Sequence, residues 1–224
     1  MFHVKHAGGP DMISYDELVA AGRELGVELL SSQLHHLEIY ERQILAWAPR
    51  VNLVSKGDTR HLRSRHFTDS ISVLPYLPKA RHSLLDLGSG GGFPGIPIKI
   101  VRPDIRVTLL ESGRMKGLFL SQVVKLLDLE GLLVWKGRAE QISEGAGLNT
   151  QDVVVCRAVG SLSLLWQLAK PFLKPTGRLL AFKGPKAQEE WDSEPIENVS
   201  VTFHPTSVPI TGRDRNFVEI CSNL

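Results

Sequence analysis

LLDLGSGGGFPGIP, residues 84–97, decides how this chain folds. An apolar run carrying one acid, Asp86, breaks into glycines at 88, 90, 91, 92 and 95, and an apolar helical pattern follows. Glycines placed after the first strand of a doubly wound sheet let backbone approach a ligand that any Cβ would exclude. A tight turn alone does not need five of them. Working outward, short runs rich in Leu, Val and Ile predict strands near 83–87, 106–111, 132–136, 152–157, 179–183, 199–203 and 216–221. Helical periodicity falls between them, near 94–101, 114–128 and 161–173. In the second of these, Met115, Leu118, Phe119, Val123, Leu126 and Leu127 are expected to form the buried face. Continuous apolar strands alternating with helices predict a parallel sheet covered on both sides. Only HPTSVPITGRDR separates the last two strands, so they should form an antiparallel hairpin closing one sheet edge.

Upstream of the loop the pattern is helical. Ser14 and Glu17 fit a capping box that starts one helix. Leu34, Leu37, Ile44, Leu45 and Trp47 make the apolar stripe of a second, which follows Ser31 and Ser32 and stops at Pro49. Residues 1–80 therefore read as a helical extension packed on a domain formed by 81–224. The chain has 224 residues, 42% hydrophobic and 22% charged, which fits one or two ordinary folded domains and excludes collagen-like, coiled-coil and disordered classes. No apolar run approaches the roughly 18 residues of a membrane span, the first residues lack an apolar signal region, and the two cysteines have no metal or disulfide spacing. A reducing cytoplasm is the expected location.

The net charge is only +2, but it is unevenly placed. Residues 11–48 are acidic, whereas PRVNLVSKGDTRHLRSRH, residues 49–66, sets Arg50, Lys56, Arg60, Arg63 and Arg65 against Asp58 alone. Such a strip on a near-neutral chain is a candidate phosphate contact, with Arg60, Arg63 and Arg65 as its core.

Two ligands compete for the glycine loop. Gly90, Gly92 and Gly95 satisfy G-x-G-x-x-G, and Glu111 follows at the distance where an acid holds ribose hydroxyls in a dinucleotide site. Pro94 and Pro97, however, remove N–H donors from the helix start that a pyrophosphate needs, and Asp86 adds a carboxylate where phosphates would sit. S-adenosylmethionine carries no phosphate and is cationic, so the pair Asp86 and Glu111 suits it better.

Several further motifs accompany the loop: NLVS at 52–55, HFTDS at 66–70, LLES at 109–112, GRAE at 137–140, CRAV at 156–159 and FKG at 182–184. In this order and spacing the chain resembles the bacterial small-subunit ribosomal RNA guanine-N7 methyltransferases, also called glucose-inhibited division protein B, from about Glu38 to Lys183. The resemblance implies a class I S-adenosylmethionine-dependent methyltransferase fold: a Rossmann-like, seven-stranded, mostly parallel sheet with helices on both faces and a helical N-terminal extension. It implies methylation of N7 of a guanine, guanine 527 in the 530 loop of the family's 16S ribosomal RNA target. It also implies that Gly88, Gly90, Gly92 and Phe93 line the donor, that Glu111 takes its ribose, that Ala139 and Glu140 face its adenine, and that Arg157 closes the site.

Guanine N7 has a lone pair and no proton, so its methylation needs alignment and no general base or metal. The chain fits that demand. Cys156 lies in an apolar strand as an inert thiol, and CRAV stands where exocyclic-amine methyltransferases resemble one another in an Asn or Asp followed by Pro-Pro and an aromatic. Arg157 is expected to contact the methionine carboxylate or an RNA phosphate, and Lys183 a phosphate, while Asn52, His66 and Asp69 read as capping and packing residues. The expected partner is 16S ribosomal RNA or the small ribosomal subunit, met by a monomer. Two rival classes are an NAD(P)-dependent oxidoreductase using the glycine loop and a non-catalytic RNA-binding protein that retains the fold. Titration with the two cofactors separates the first from the methyltransferase.

Overall fold

The computed structural model describes residues 13–55, 57–141, 148–157 and 160–223. Lys56 of the basic strip and Ala158 and Val159 of the CRAV motif lie outside the described residues, as do residues 1–12 of the extension. The strands β1 (Ser83–Leu87), β2 (Arg106–Glu111), β3 (Leu132–Lys136), β4 (Gln151–Arg157), β5 (Leu173–Lys183), β6 (Val199–Val208) and β7 (Arg213–Ser222) form one sheet in the order β3-β2-β1-β4-β5-β7-β6. The first five are parallel; β7 runs antiparallel to both β5 and β6. The chain direction across the sheet reverses between β1 and β4, and at such a switch point the carboxyl ends of open α/β sheets collect ligands.

Alternation along each strand divides the core in two. Leu84, Val107, Leu109, Val153, Val155, Leu180 and Phe217 face the helices α1 (Tyr15–Glu24), α2 (Ser31–Trp47), α3 (Thr68–Ile71), α4 (Gly95–Val101) and α5 (Arg114–Leu127). Leu85, Leu87, Leu110, Val154, Cys156, Leu179 and Ala181 face α6 (Leu162–Ala169) and α7 (Ala187–Ser193). Pro171 and a short 3-10 turn, Lys170–Phe172, separate α6 from β5, where periodicity alone predicts a continuous helix to 173. The buried face of α5 is Gly117, Phe119, Leu120, Val123 and Leu127; Met115, Leu118 and Leu126 stay exposed, so this helix is rotated from its apolar pattern.

The extension shares the first core. Ser14 accepts from the Glu17 N–H and Glu17 from the Ser14 N–H, closing the expected capping box. On α2 the buried face is Gln33, Leu37, Tyr40, Glu41 and Ile44, and Leu45 is turned outward. Two polar-tipped residues replace the expected Leu45 because their tips are satisfied inside: the Tyr40 hydroxyl donates to the Gly91 carbonyl at 2.5 Å, and Glu41 receives Arg63. Tyr40 also packs its ring against Phe67 and Phe93. The segment between the extension and the sheet coils through a 3-10 turn, Asp58–His61, and a π-helical turn, Leu62–Phe67, before α3. Tyr40→Phe leaves a buried carbonyl without its donor and is expected to lower the unfolding free energy by about 1–3 kcal/mol in urea titrations.

Candidate active site

The glycine loop lies over the carboxyl ends of β1 and β2. Gly92 has φ +97°, a conformation side chains rarely adopt, and a Cβ there would meet the Tyr40 hydroxyl at 2.8 Å. A Cβ on Gly91 would lie 2.7 Å from the Leu53 carbonyl oxygen. The extension thus closes down on the loop from outside and requires glycine there, independently of any ligand. From the sheet side, Asp86 Oδ2 accepts the Gly95 N–H at 2.9 Å, while Asp86 Oδ1 is buried and makes no hydrogen bond. Burial, only partly offset by the Gly95 N–H, raises the Asp86 carboxyl to about 7. Glu111 Oε2 accepts the Gly90 N–H at 2.8 Å and its Oε1 the Gly113 N–H at 2.6 Å, so its carboxylate is fixed at the strand end.

A cavity of about 390 Å³ opens beside Glu111, lined by Gly113, Arg114, Leu118, Lys136 and Gly137. Its wall beyond β3 is Lys136 and Gly137. Ala139 and Glu140 sit in the following turn, Ala139–Gln141, with Ala139 half-buried beside the second core and Glu140 exposed, and neither lines this cavity.

These groups discriminate between the two ligand classes. The Gly95 N–H, the donor a pyrophosphate would require at the start of α4, is already bonded to a carboxylate, and Pro94 and Pro97 offer none. The unpartnered Asp86 oxygen can accept from a donor-bearing cation, whose charge would favour the ionised carboxylate that burial disfavours. The loop therefore fits S-adenosylmethionine and does not fit a dinucleotide.

A second cavity has a volume of about 420 Å³. Asn52 and Leu53, His66 and Asp69, Lys116, Arg157, Phe182, and Arg213 and Arg215 of β7 reach it from separate parts of the chain. Beneath it Asp69, 2% exposed, binds two arginines: Oδ1 accepts Arg215 Nε at 2.6 Å, and Oδ2 accepts Arg215 Nη2 at 2.9 Å and Arg157 Nη1 at 3.2 Å. Arg157 Nη2 lies 3.0 Å from His66 Nδ1. Arginine only donates, so this nitrogen carries the lone pair and the imidazole is neutral. Burial first and the Arg157 charge second push His66 down to about 4, in agreement. The Arg157 guanidinium also lies 5.0 Å from the centre of the Phe93 ring, joining this cluster to the glycine loop.

Several sequence-based assignments change. Arg63 is not a surface cation: its Nη2 is 2.7 Å from the Glu41 carboxylate and its Nη1 donates to the Ile13 carbonyl, so it ties α2 to the segment before α3. Arg65 does line the second cavity, paired with Asp58 at 2.9 Å, and Arg60 is exposed in the turn beside it. Lys183 is held by Glu190 at 2.8 Å and the Gly160 carbonyl at 3.0 Å, which directs it to α7 and away from both cavities. Arg157 reaches the cavity wall, but with two nitrogens engaged by Asp69 and His66 it belongs to a fixed cluster. Asp69 is more than a packing residue, since both arginines depend on it. Lys116, Arg213 and Arg215 escaped the sequence reading; in Arg213-Asp214-Arg215 the alternation of a strand places both arginines on one face, a signal that was present. Cys156 is buried as expected, and desolvation raises its thiol to about 12. Among the described residues no group of three or more His, Cys, Asp or Glu has metal-binding geometry, and no helix is long and apolar enough to cross a membrane.

The sequence model of the family described as rRNA small subunit methyltransferase G matches residues 33–218. The chain belongs to that family. Its relatives agree: the ribosomal RNA small subunit methyltransferase G of Roseiflexus sp. (strain RS-1) is 38% identical over 176 residues, covering 78% of this chain and 75% of that protein. The protein of the same name from Sorangium cellulosum (strain So ce56) is 40% identical over 168 residues, covering 74% of this chain and 70% of the relative. Among solved structures, M. jannaschii TYW2 in complex with AdoMet superposes with a TM-score of 0.52 at 13% identity, covering 77% of this chain and 78% of that one, which shows a shared fold.

Two measurements test this geometry. Arg63→Ala strands the buried Glu41 carboxylate and is expected to destabilise the protein by about 3–5 kcal/mol in urea unfolding, while the salt dependence of RNA binding stays as in the wild type. Asp86 keeps its proton in the folded state up to about pH 7 and sheds it near pH 4 when unfolded, so the folded state binds the extra proton in that window. Its contribution to stability therefore falls as pH rises from about 4 to about 7. Asp86→Asn, which mimics the protonated carboxyl, should gain on the wild type across that window, read as the difference between the two unfolding free energies at each pH.

Proposed function

We propose that this chain transfers the methyl group of S-adenosylmethionine to N7 of a guanine in 16S ribosomal RNA, in the loop that contains guanine 527. The observation that carries this reading is the presence of two cavities at the carboxyl edge of one sheet. One is lined by Glu111 at the end of β2; the other is lined by cations that include Arg157 at the end of β4. Family membership supplies ribosomal RNA as the substrate class.

The donor supplies an electrophilic methyl group, and N7 has a lone pair ready to receive it, so no side chain has to remove a proton. The residues of the chain bind and orient. Glu111, fixed by two backbone N–H groups, presents its carboxylate at the end of β2 for ribose hydroxyls. Asp86 offers a buried acceptor to a cation. Phe93, packed under Arg157 and against His66 with ring centres 5.0 Å apart, links the glycine loop to the residues that line the second cavity. Methylation makes the guanine cationic, and an isolated arginine would oppose that. Asp69, which pairs with Arg157, lessens that repulsion.

The test incubates the protein with methyl-labelled S-adenosylmethionine and small ribosomal subunits that lack their own modification at this site, followed by nuclease digestion and nucleoside mass spectrometry. The expected product is labelled N7-methylguanosine from that loop. Donor binding without transfer to subunits or to deproteinised rRNA would overturn the substrate assignment.

A further inference from the structure

We propose that the C-terminal hairpin, β6–β7, grips a phosphodiester of the RNA backbone beside the target base, through Arg213 and Arg215 acting with Lys116 of α5. This deepens the reading above and rests on RNA being the substrate.

The argument starts from charge. Five cations, Arg65, Lys116, Arg157, Arg213 and Arg215, line the 420 Å³ cavity against two carboxylates, Asp58 and Asp69. Asp58 is taken by Arg65 at 2.9 Å, and the single carboxylate of Asp69 is shared by two guanidinium groups. His66 is neutral and accepts from Arg157, so it adds no charge but compensates none. The cavity keeps a surplus of positive charge that nothing in its wall neutralises, in a setting where field lines are focused by low-dielectric walls. Arg213 is exposed and Lys116 half-buried, and neither side chain forms an ion pair among the described residues.

Topology then assigns the ligand. β7 lies outside β5, three strands from β1, whereas the Glu111 cavity lies on the opposite flank at β2 and β3. The hairpin charges therefore sit across the sheet from the Glu111 cavity. Arg215 is anchored by Asp69, and Arg213, two residues earlier on the same strand face, is exposed and has no side-chain partner among the described residues. An anchored and a free guanidinium at this spacing, facing Lys116 across the opening, suit an extended anionic backbone that passes over the cavity, and RNA phosphate is the anion the proposed substrate brings.

The experiment measures binding of 16S rRNA by the full chain as a function of salt, together with binding of S-adenosylmethionine and methyl transfer. Each contact to a phosphate contributes to the slope of log Kd against log salt, so Arg213→Ala and Lys116→Ala should each lower that slope by about 0.7–1 and weaken RNA binding, with donor affinity unchanged. Arg106→Ala, at the amino end of β2 and exposed, should change neither. An unaltered slope in both cavity variants, with rRNA still methylated, would overturn the grip and leave the methyltransferase reading standing. Loss of donor affinity at an unaltered slope would assign these cations to the methionine carboxylate and also overturn it. A wild-type chain that binds the donor but neither binds nor methylates rRNA would remove the reading and the grip together.

Discussion

The buried carboxylate of Asp69 is the constraint on which the rest of the site depends. It belongs to α3, at the end of the helical extension, and it pairs with both Arg157 at the tip of β4 and Arg215 on β7. Removing a carboxylate from water is repaid only when its oxygens are filled by well-placed donors, and here three short contacts from two guanidinium groups do so. Three segments far apart in sequence are thereby pinned around one opening. Because arginine geometry is rigid, Phe93 and His66 inherit their positions from the same cluster, and through Phe93 so does the glycine loop.

The loop is shaped from two directions at once. Glu111 and Asp86 hold its backbone N–H groups from the sheet, and Tyr40 with Leu53 presses on Gly91 and Gly92 from the extension. A helical extension in this position helps to set the shape of the glycine loop. The same arrangement explains the choice of ligand chemistry, since the backbone donors that a dinucleotide would need are already spent on carboxylates.

How much of this was legible in the sequence depended on the range of the interaction. Strands β1 to β4, the glycine loop and the capping box at Ser14 are set by local pattern, and the sequence places them within a residue or so, whereas β5 starts six residues before its expected 179 and β6 runs five residues past its expected 203. The helix α7 and the coiled stretch from Asp58 to Phe67 carry no strong period and were missed. The basic strip was read as one surface, yet Arg63 turns inward while Arg65 turns to the cavity. What separates them is a partner 22 positions away, Glu41, and hydrophobic periodicity does not register ion pairs. Tyr40 and Glu41 were likewise invisible as core residues because each is buried only by virtue of a polar contact made elsewhere in the chain.

The pairing of Asp69 with Arg215 spans 146 positions, whereas Asp86, the glycine loop and Glu111 fall within a single β-α-β unit. Closing a long loop is slower and entropically dearer than local assembly. The hairpin itself is local and forms early as a unit, but it must dock on β5 before its arginines reach the carboxylate. The glycine loop and Glu111 thus meet through contacts near in sequence, whereas the cavity that Arg213 and Arg215 line exists only once the last two strands are docked.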